Sequence, residues 1–480
     1  MLGIIARGEG RAERAVQLFE KAVHQSPDDA AVLTDLGNTL KSLDRLDEAA
    51  ERHERVVTLT DEIPGALSNL ASTYVRAGRV EEAVALLERA AGLAPGHAEI
   101  HYNLGNALLS AGRHEAATES LHNALVLSPD HIGARSNLGV ALREQGKLDE
   151  AVEELRMALY RAPLYADAGW NLSLALLMKE DWWAGWEEYE WRRRISGFAI
   201  RHIDGEDWDG GDLDGRTLLV HAEQGLGDSF QFARYLPLLA DKGGTVIFAA
   251  QDPLVSLLAQ SVGMPRIIGV SDPIPDFDVQ APLMSLPHLL NAGPPVIPDH
   301  GPWLTADPDR MARWRGVMSG PDFKIGIAWQ GNAGYKADRQ RSIALSEFAP
   351  IAALPGIHLY SLQQGVGTDQ LDVVNWTSAV TRFGPEWDTD GAFLDTAAIM
   401  KNLDLVITSD TAIAHLAGAL GVETWLALAH IPDWRWGLKG DATPWYPWMN
   451  LYRQQSPGDW TGVFSRISVD LESRIRKPGL

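Results

Sequence analysis

Three short stretches of the sequence hold glycine, carboxylate and cationic side chains in spacings suited to chemistry at strand ends. The first is His221-Ala222-Glu223-Gln224-Gly225-Leu226-Gly227-Asp228. Gly225 and Gly227 let the backbone turn tightly and approach a ligand closely. Asp228 falls where a helix would begin, and there it reads either as a general base facing a cleft or as a helix N-cap. The two roles compete, because a carboxylate that accepts backbone N–H bonds is held at low pKa and is a weaker base. Glu223 and His221 are the alternative bases.

The second stretch runs from Ile325-Gly326-Ile327-Ala328-Trp329-Gln330-Gly331-Asn332 into Tyr335-Lys336-Ala337-Asp338-Arg339-Gln340-Arg341-Ser342. Lys336, Arg339 and Arg341 put three cations within six residues of an otherwise acidic chain. Such charge suits a phosphate-bearing ligand in a water-poor cleft; the alternative is a solvated loop. The third stretch is Thr408-Ser409-Asp410-Thr411-Ala412-Ile413-Ala414-His415. Free N–H groups at a helix start there would suit a diphosphate or sugar oxygens. Asp410 can equally be a cap, and His415, one turn into the helix, reads more readily as a packed core histidine. Two aromatic stretches follow, Pro432-Asp433-Trp434-Arg435-Trp436 and Trp445-Tyr446-Pro447-Trp448. They would stack on a nucleobase or cover a hinge.

The elements that must position these loops alternate between strand and helix. β-rich runs at 217–222, 245–250, 266–269 and 278–281 are interleaved with helical patterns from Phe230 to Leu239 and at 253–262. After Pro294, Pro295, Pro298 and Pro302 the pattern restarts, with strands at 324–329, 357–362, 403–408 and 423–428 and helices at 346–354, 392–402 and 411–420. Such alternation predicts parallel sheets with covered faces. Two units in succession predict two Rossmann-like domains facing a cleft, with ligands at the carboxyl ends of the strands.

The first part of the chain is a repeat. Leu2-Gly3, Leu36-Gly37, Leu70-Ala71, Leu104-Gly105, Leu138-Gly139 and Leu172-Ser173 recur every 34 residues, and so do Ala15, Ala49, Ala83, Ala117 and Ala151. Gly10, Gly78, Gly112 and Gly146 mark an inner turn, with Asp44 in the missing place, and Pro27, Pro95, Pro129 and Pro163 share a further column. The period and residue types match the tetratricopeptide repeat, a helix-turn-helix unit. Asn69, Asn103, Asn137 and Asn171, with Asp35 in an earlier copy, would line the inner helices. A carboxamide offers a donor and an acceptor, so this column can clamp a peptide backbone in the concave groove; Asn is also common at this repeat position. The last repeat decays: Gly185 replaces the Ala and Arg192 falls at an apolar position. Trp182, Trp183, Trp186, Tyr189 and Trp191 there read as glue between solenoid and next domain.

Composition bounds the remainder. The chain has 480 residues with 42 Lys+Arg and 64 Asp+Glu, a net charge of −22 that argues against a phosphate-backbone binder of nucleic acid. There is no cysteine, which excludes disulfides, thiolate catalysis and cysteine-ligated zinc. No tight carboxylate or histidine spacing implies a metal. No apolar run is long enough to span a membrane, and no signal-peptide core is visible, so a cytoplasmic protein is expected. All 17 Trp lie at or after Trp170, which marks a differently built second part. The expected division is a solenoid over 1–195, a linker over 196–216, and α/β domains over 217–305 and 306–480.

Taken together, these motifs resemble the bacterial tetratricopeptide-repeat glycosyltransferases. The second part resembles the heptosyltransferase-like group with the two-domain B-type glycosyltransferase fold, on Gly225-Leu226-Gly227-Asp228 and Asp410-Thr411-Ala412-Ile413-Ala414-His415-Leu416-Ala417. The resemblance covers nearly the whole chain. It implies that Asp228 is the base activating an acceptor hydroxyl and that Asp410 and Thr411 contact the donor. Ala412 stands where heptosyltransferases commonly have Gly. The layout is also similar to eukaryotic O-linked N-acetylglucosamine transferase, where a repeat solenoid with an Asn ladder guides protein acceptors. Tyr335-Lys336 resembles that enzyme's Tyr-Lys, whose Lys contacts the donor phosphates.

The expectation is inverting, metal-independent transfer of a sugar from a nucleotide-activated donor to a Ser or Thr hydroxyl of a protein, flagellin being one acceptor the resemblance raises. Asp228 is the expected catalytic residue, on the backbone loop of Gly225 and Gly227. Asn332, Lys336, Arg341, Asp410, Thr411 and His415 are the expected donor contacts, and Asn69, Asn103, Asn137 and Asn171 the acceptor contacts. No cofactor is implied beyond the nucleotide sugar as substrate. The rivals are transfer to a lipopolysaccharide or other small glycan, and a repeat scaffold whose transferase half has decayed.

Overall fold

A computed structural model describes residues 1–61, 63–195, 203–292, 294, 301–332, 334, 338–384 and 386–476. The chain divides into two compact units, Met1–Ala175 and Leu176–Leu480.

The first unit is a tetratricopeptide solenoid. Its inner helices Ala30–Ser42, Pro64–Arg76, Ala98–Ser110, Ile132–Arg143 and Ala166–Met178 begin 34 residues apart, and the outer helices Ala12–Gln25, Leu46–Leu59, Val80–Leu93, His114–Leu127 and Leu148–Arg161 keep the same step. The turn column explains why the register holds. Gly10, Gly78, Gly112 and Gly146 sit at φ +71° to +77°, and Asp44 adopts φ +61° in the same place. Only Gly, and at some cost Asp or Asn, visits this left-handed region readily. The alanine column packs where two helices touch, and Ala15, Ala49, Ala83, Ala117 and Ala151 have no exposed surface at all.

One buried column departs from hydrocarbon. Phe19, Leu87, Leu121 and Leu155 fill it in four repeats, and His53 fills it in the second. A Cβ placed on Gly37 would lie 2.5 Å from His53 Nε2, so the imidazole fits only because that position is Gly. His53 Nδ1 lies 2.9 Å from Thr73 Oγ1, while Nε2 has no partner.

The second unit contains two parallel sheets. The first has strand order β1-β5-β2-β3-β4, from β1 (Glu206–Asp207), β2 (Thr217–His221), β3 (Thr245–Ala250), β4 (Arg266–Gly269) and β5 (Val279–Pro282). The second has order β11-β10-β9-β6-β7-β8, from β6 (Phe323–Ala328), β7 (Ile357–Ser361), β8 (Val380–Thr381), β9 (Leu405–Ser409), β10 (Thr424–Leu428) and β11 (Met449–Arg453). Every pairing in both sheets is parallel. The central strands are apolar on both faces, as parallel strands covered by helices must be: β9 and β10 are buried along their whole length. Order reverses beside β2 in the first sheet and between β6 and β9 in the second, the places where a crevice opens at the strand ends.

The helix Trp182–Tyr189 belongs to this second unit. The Trp186 ring is fully buried and meets Phe232, Trp434 and Tyr189 edge-on at centroid distances of 5.7, 5.4 and 5.3 Å. Trp182 meets Trp445 the same way at 5.7 Å. The expected aromatic glue is therefore core of the sheet-bearing unit; Trp183 is exposed and takes no part.

His53 makes the solenoid acid-sensitive. Burial, with Lys41 nearby, pushes its pKa from 6.5 down to about 4. The folded state therefore prefers the neutral ring. Its contribution is intact above pH 6.5 and is lost as pH falls from there toward 4, up to about 3 kcal/mol. His53→Leu should narrow the loss of urea resistance between pH 7.5 and pH 5, followed by far-ultraviolet circular dichroism. An equal acid loss in both proteins would contradict this assignment.

Candidate functional site

The site is built at the carboxyl ends of β2, β6 and β9. After β2 the chain turns through Gly225 into the helix Leu226–Phe232, with Asp228 in its first turn. Asp228 Oδ2 accepts the Gly225 N–H at 2.8 Å, so the N-cap is Gly225 rather than Asp228, which closes a capping box from the third helical position. Capping does not make the group a weak base here. Burial raises the Asp228 pKa, and Arg435 and the Gly225 N–H oppose this without cancelling it. The side chain stays 18 % exposed.

The alternative bases are committed elsewhere. Glu223 takes a two-pronged ion pair from Arg192, Nε at 3.0 Å and Nη2 at 2.7 Å, and accepts the Met284 N–H at 3.1 Å. Both side chains are completely buried, which explains why an arginine occupies an apolar position of the decaying repeat. His221 Nε2 lies 2.8 Å from Gln280 Oε1, and burial lowers the ring's pKa.

The loop after β9 carries Asp410 into the helix Ala412–Leu420. Burial, with the Asp433 carboxylate nearby, pushes Asp410 up to about 6, while Arg341 pulls the other way. Thr411 Oγ1 and Ser409 Oγ are buried at this helix start with no hydrogen-bond partner. Burial holds His415 well below its ordinary pKa, with Arg435 and Arg341 acting in the same direction. Its Nδ1 lies 2.8 Å from the Tyr446 hydroxyl, and its ring stacks on Trp436 at 5.5 Å. It is a neutral packed histidine.

The two motifs meet. A Cβ on Gly227 would fall 2.9 Å from His415 Cδ2 and 3.4 Å from Ala412 Cα. Close approach at this point depends on Gly227, opposite the alanine that departs from the heptosyltransferase pattern. Arg435 fastens the same junction: it pairs with Asp228 through Nη2, and its Nε donates to Gln231 Oε1 at 2.7 Å.

Beyond β6, Arg341 acts on both Asp410 and His415. Gln363 Oε1 accepts both the Trp329 and Gln330 N–H groups at 3.1 Å, which holds the strand end rigid. Gly331 lies against the helix Asp338–Arg341, where a Cβ would be 2.5 Å from Asp338 Oδ1 and 2.7 Å from Arg341 Nη2. Asn332 is exposed and its Oδ1 accepts the Gly334 N–H at 3.0 Å, a local turn. Tyr335 and Lys336 lie outside the described residues. The residues that sequence reasoning missed are Arg435 and Asp433. They sit in the aromatic stretch, whose Trp434 and Trp436 are buried against protein rather than presented as stacking surfaces.

In the solenoid unit, Asn69, Asn103, Asn137 and Asn171 all lie half-buried on inner helices. Two of them tie neighbouring repeats together: Asn103 Nδ2 donates to Ser68 Oγ at 3.0 Å, and Asn137 Nδ2 donates to Asn106 Oδ1. No group of three or more potential metal-ligating side chains occurs among the described residues. No described helix is long and apolar enough to cross a membrane.

Comparison with known proteins bears out the repeat. Tetratricopeptide repeat families match residues 68–132 and residues 6–59 and 108–173. Protein FlbA of Caulobacter vibrioides is 28 % identical over 313 residues, covering 60 % of this chain and 52 % of FlbA. The chain thus spans about half the length of the curated relative it matches. A match over 60 % of the chain exceeds what residues 1–175 can supply, so the similarity reaches the second unit. Among solved structures, a thermophilic tetratricopeptide-repeat protein of Thermus thermophilus is 30 % identical, with TM-score 0.33, covering 37 % of this chain and 96 % of that one. MamA is 27 % identical with TM-score 0.31, covering 34 % and 94 %.

A buried carboxylate with a raised pKa weakens the fold above that pKa. Asp410 favours its protonated form in the folded state, so its contribution is intact below pH 3.8 and is lost as pH rises through about 6. At neutral pH the ionised carboxyl therefore weakens the fold. Asp410→Asn should therefore raise the denaturation midpoint at pH 7.5, read by tryptophan fluorescence, and the gain should shrink at pH 5. A variant no more stable than wild type at pH 7.5 would show that Asp410 is compensated.

Proposed function

We propose that the second unit transfers a sugar from a nucleotide-activated donor to a hydroxyl group of a protein held by the repeats. This reading takes the two sheets as the two Rossmann-like halves of a B-type glycosyltransferase. The observation that carries it is the meeting of Gly227, next to Asp228, with Ala412 and His415 of the facing helix at two strand-end loops. One loop offers a reachable carboxylate of raised pKa. The other offers buried hydroxyls without partners and a helix start, beside Arg341.

In this reaction Asp228 takes the proton from the acceptor hydroxyl. The freed oxygen bonds to the anomeric carbon as that carbon's bond to the phosphate oxygen breaks. The nucleotide leaves with the electron pair and its added negative charge. Arg341 and the N–H groups at Thr411 and Ala412 stabilise that charge. Lys336 joins them on the strength of the family resemblance alone. Acceptor binding draws on the carboxamides of the solenoid, the column of Asn69, Asn103, Asn137 and Asn171. Flagellin stays within this proposal as an acceptor on the strength of the same resemblance.

Release of nucleotide from UDP-, GDP-, ADP- and CMP-linked sugars, with a Ser/Thr-containing peptide pool as acceptor, tests the reading. Wild type should release one nucleotide, and Asp228→Asn should reduce that rate at least about 100-fold, the scale of a lost general base. Near-normal release by the variant would remove Asp228 from the reaction.

A further inference from the structure

We propose that Arg435 is the positioning residue of Asp228, fixing the orientation of that carboxylate and keeping it as the anion. The inference rests on the reading of Asp228 as the base. Arg435 is buried and its donors are divided. Nη2 pairs with Asp228 Oδ1, Nε donates to Gln231 Oε1 at 2.7 Å, and Nη1 donates to Asp433 Oδ1 at 2.8 Å. The guanidinium lies 4.3 Å over the Trp434 ring and 5.9 Å from that of Phe232. Asp228 and Gln231 are three residues apart on one helix, so the arginine grips two neighbouring side chains of a single helix face.

From the other side, the Gly225 N–H holds Oδ2. A carboxylate bound at both oxygens cannot rotate, yet each oxygen retains a lone pair for an incoming proton. The Asp228 side chain keeps 18 % of its surface exposed, which leaves it a side from which a hydroxyl can approach.

The surrounding charges leave Arg435 as the cation in control. Asp433 and Glu223 face Asp228 as carboxylates and push its pKa up. Glu223 is neutralised by Arg192, and Asp433 shares Arg435. Tyr189 and Tyr446 face it as neutral phenols, both with raised pKa values from burial, and the neutral His415 stands across Gly227. Removing Arg435 leaves burial opposed mainly by one backbone N–H. The carboxyl then titrates at higher pH, and its anionic fraction near neutrality falls.

The experiment is a carbon-13 titration of the full chain labelled at the aspartate side-chain carboxyl. The Asp228 line is identified by its loss in Asp228→Asn. Arg435→Gln should move the Asp228 midpoint upward by about one unit or more, a tenfold smaller anion-to-acid ratio at fixed pH. Arg435→Lys, which keeps the charge but loses the fork, should fall between that variant and wild type, and carries the test if the glutamine variant does not fold. An unmoved midpoint in the folded variants would overturn the proposal. The titration needs neither donor nor acceptor. Retained transfer by Asp228→Asn would therefore defeat the base reading alone, and an unmoved midpoint would defeat the Arg435 proposal alone.

Discussion

Asp228 and Arg435 are 207 residues apart in the chain and form one ion pair. The candidate site depends on that junction. Asp228 stands at the end of β2 and Arg435 just beyond β10, so the pair binds the two sheet-bearing halves at their strand ends. The aromatic cluster around Trp186 supports the junction from behind. Its edge-on contacts with Phe232 and Trp434 use the helix that carries Asp228 and the segment that carries Arg435. Edge-to-face rings add a geometric preference to their burial, which fixes positions more sharply than aliphatic packing. The Gly227 contact with His415 completes the same seam.

Charge inside the seam is arranged against the simplest stability. Asp228, Asp410 and Asp433 gather around Arg435 and Arg341, and burial raises the first two. A fold selected for stability alone would replace such a cluster with hydrocarbon. Perturbed carboxylates cluster at functional sites, which supports the role proposed for this seam. The Arg192–Glu223 pair shows the contrast: it is completely buried and matched at both prongs, which suits a structural tie.

Much of this was legible in the sequence because each signal was local. The 34-residue step survives in the helix starts from Ala12 to Ala166, and Asp44 takes the left-handed turn of the missing glycine. Strands such as Thr245–Ala250 and Arg266–Gly269 fall where their apolar runs lie, since buried parallel strands read as continuous hydrophobic stretches. Other features were not local. The strand Met449–Arg453 has mixed burial and no clean pattern, and the helical pattern from Phe230 to Leu239 passes into 3₁₀ geometry over Ala233–Lys242, which contains Pro237. Arg435 looked like one member of an aromatic stretch, because its partners Asp228 and Gln231 are some 200 positions away. The balance between capping and basicity at Asp228 also depended on burial, which no spacing reports. The asparagine column was visible as a line, but its cross-links to Ser68 and Asn106 belong to the neighbouring repeat.

The central claim is that the strand-end loops form a nucleotide-sugar site. Calorimetric titration of the full chain with UDP, GDP, ADP, CDP and CMP, on wild type and Arg341→Ala, tests it most directly. The account predicts that one nucleotide binds and that the substitution weakens it about tenfold or more, the scale of a lost charge-assisted contact to phosphate. Binding by none of the five, or binding that Arg341→Ala leaves unchanged, would contradict it.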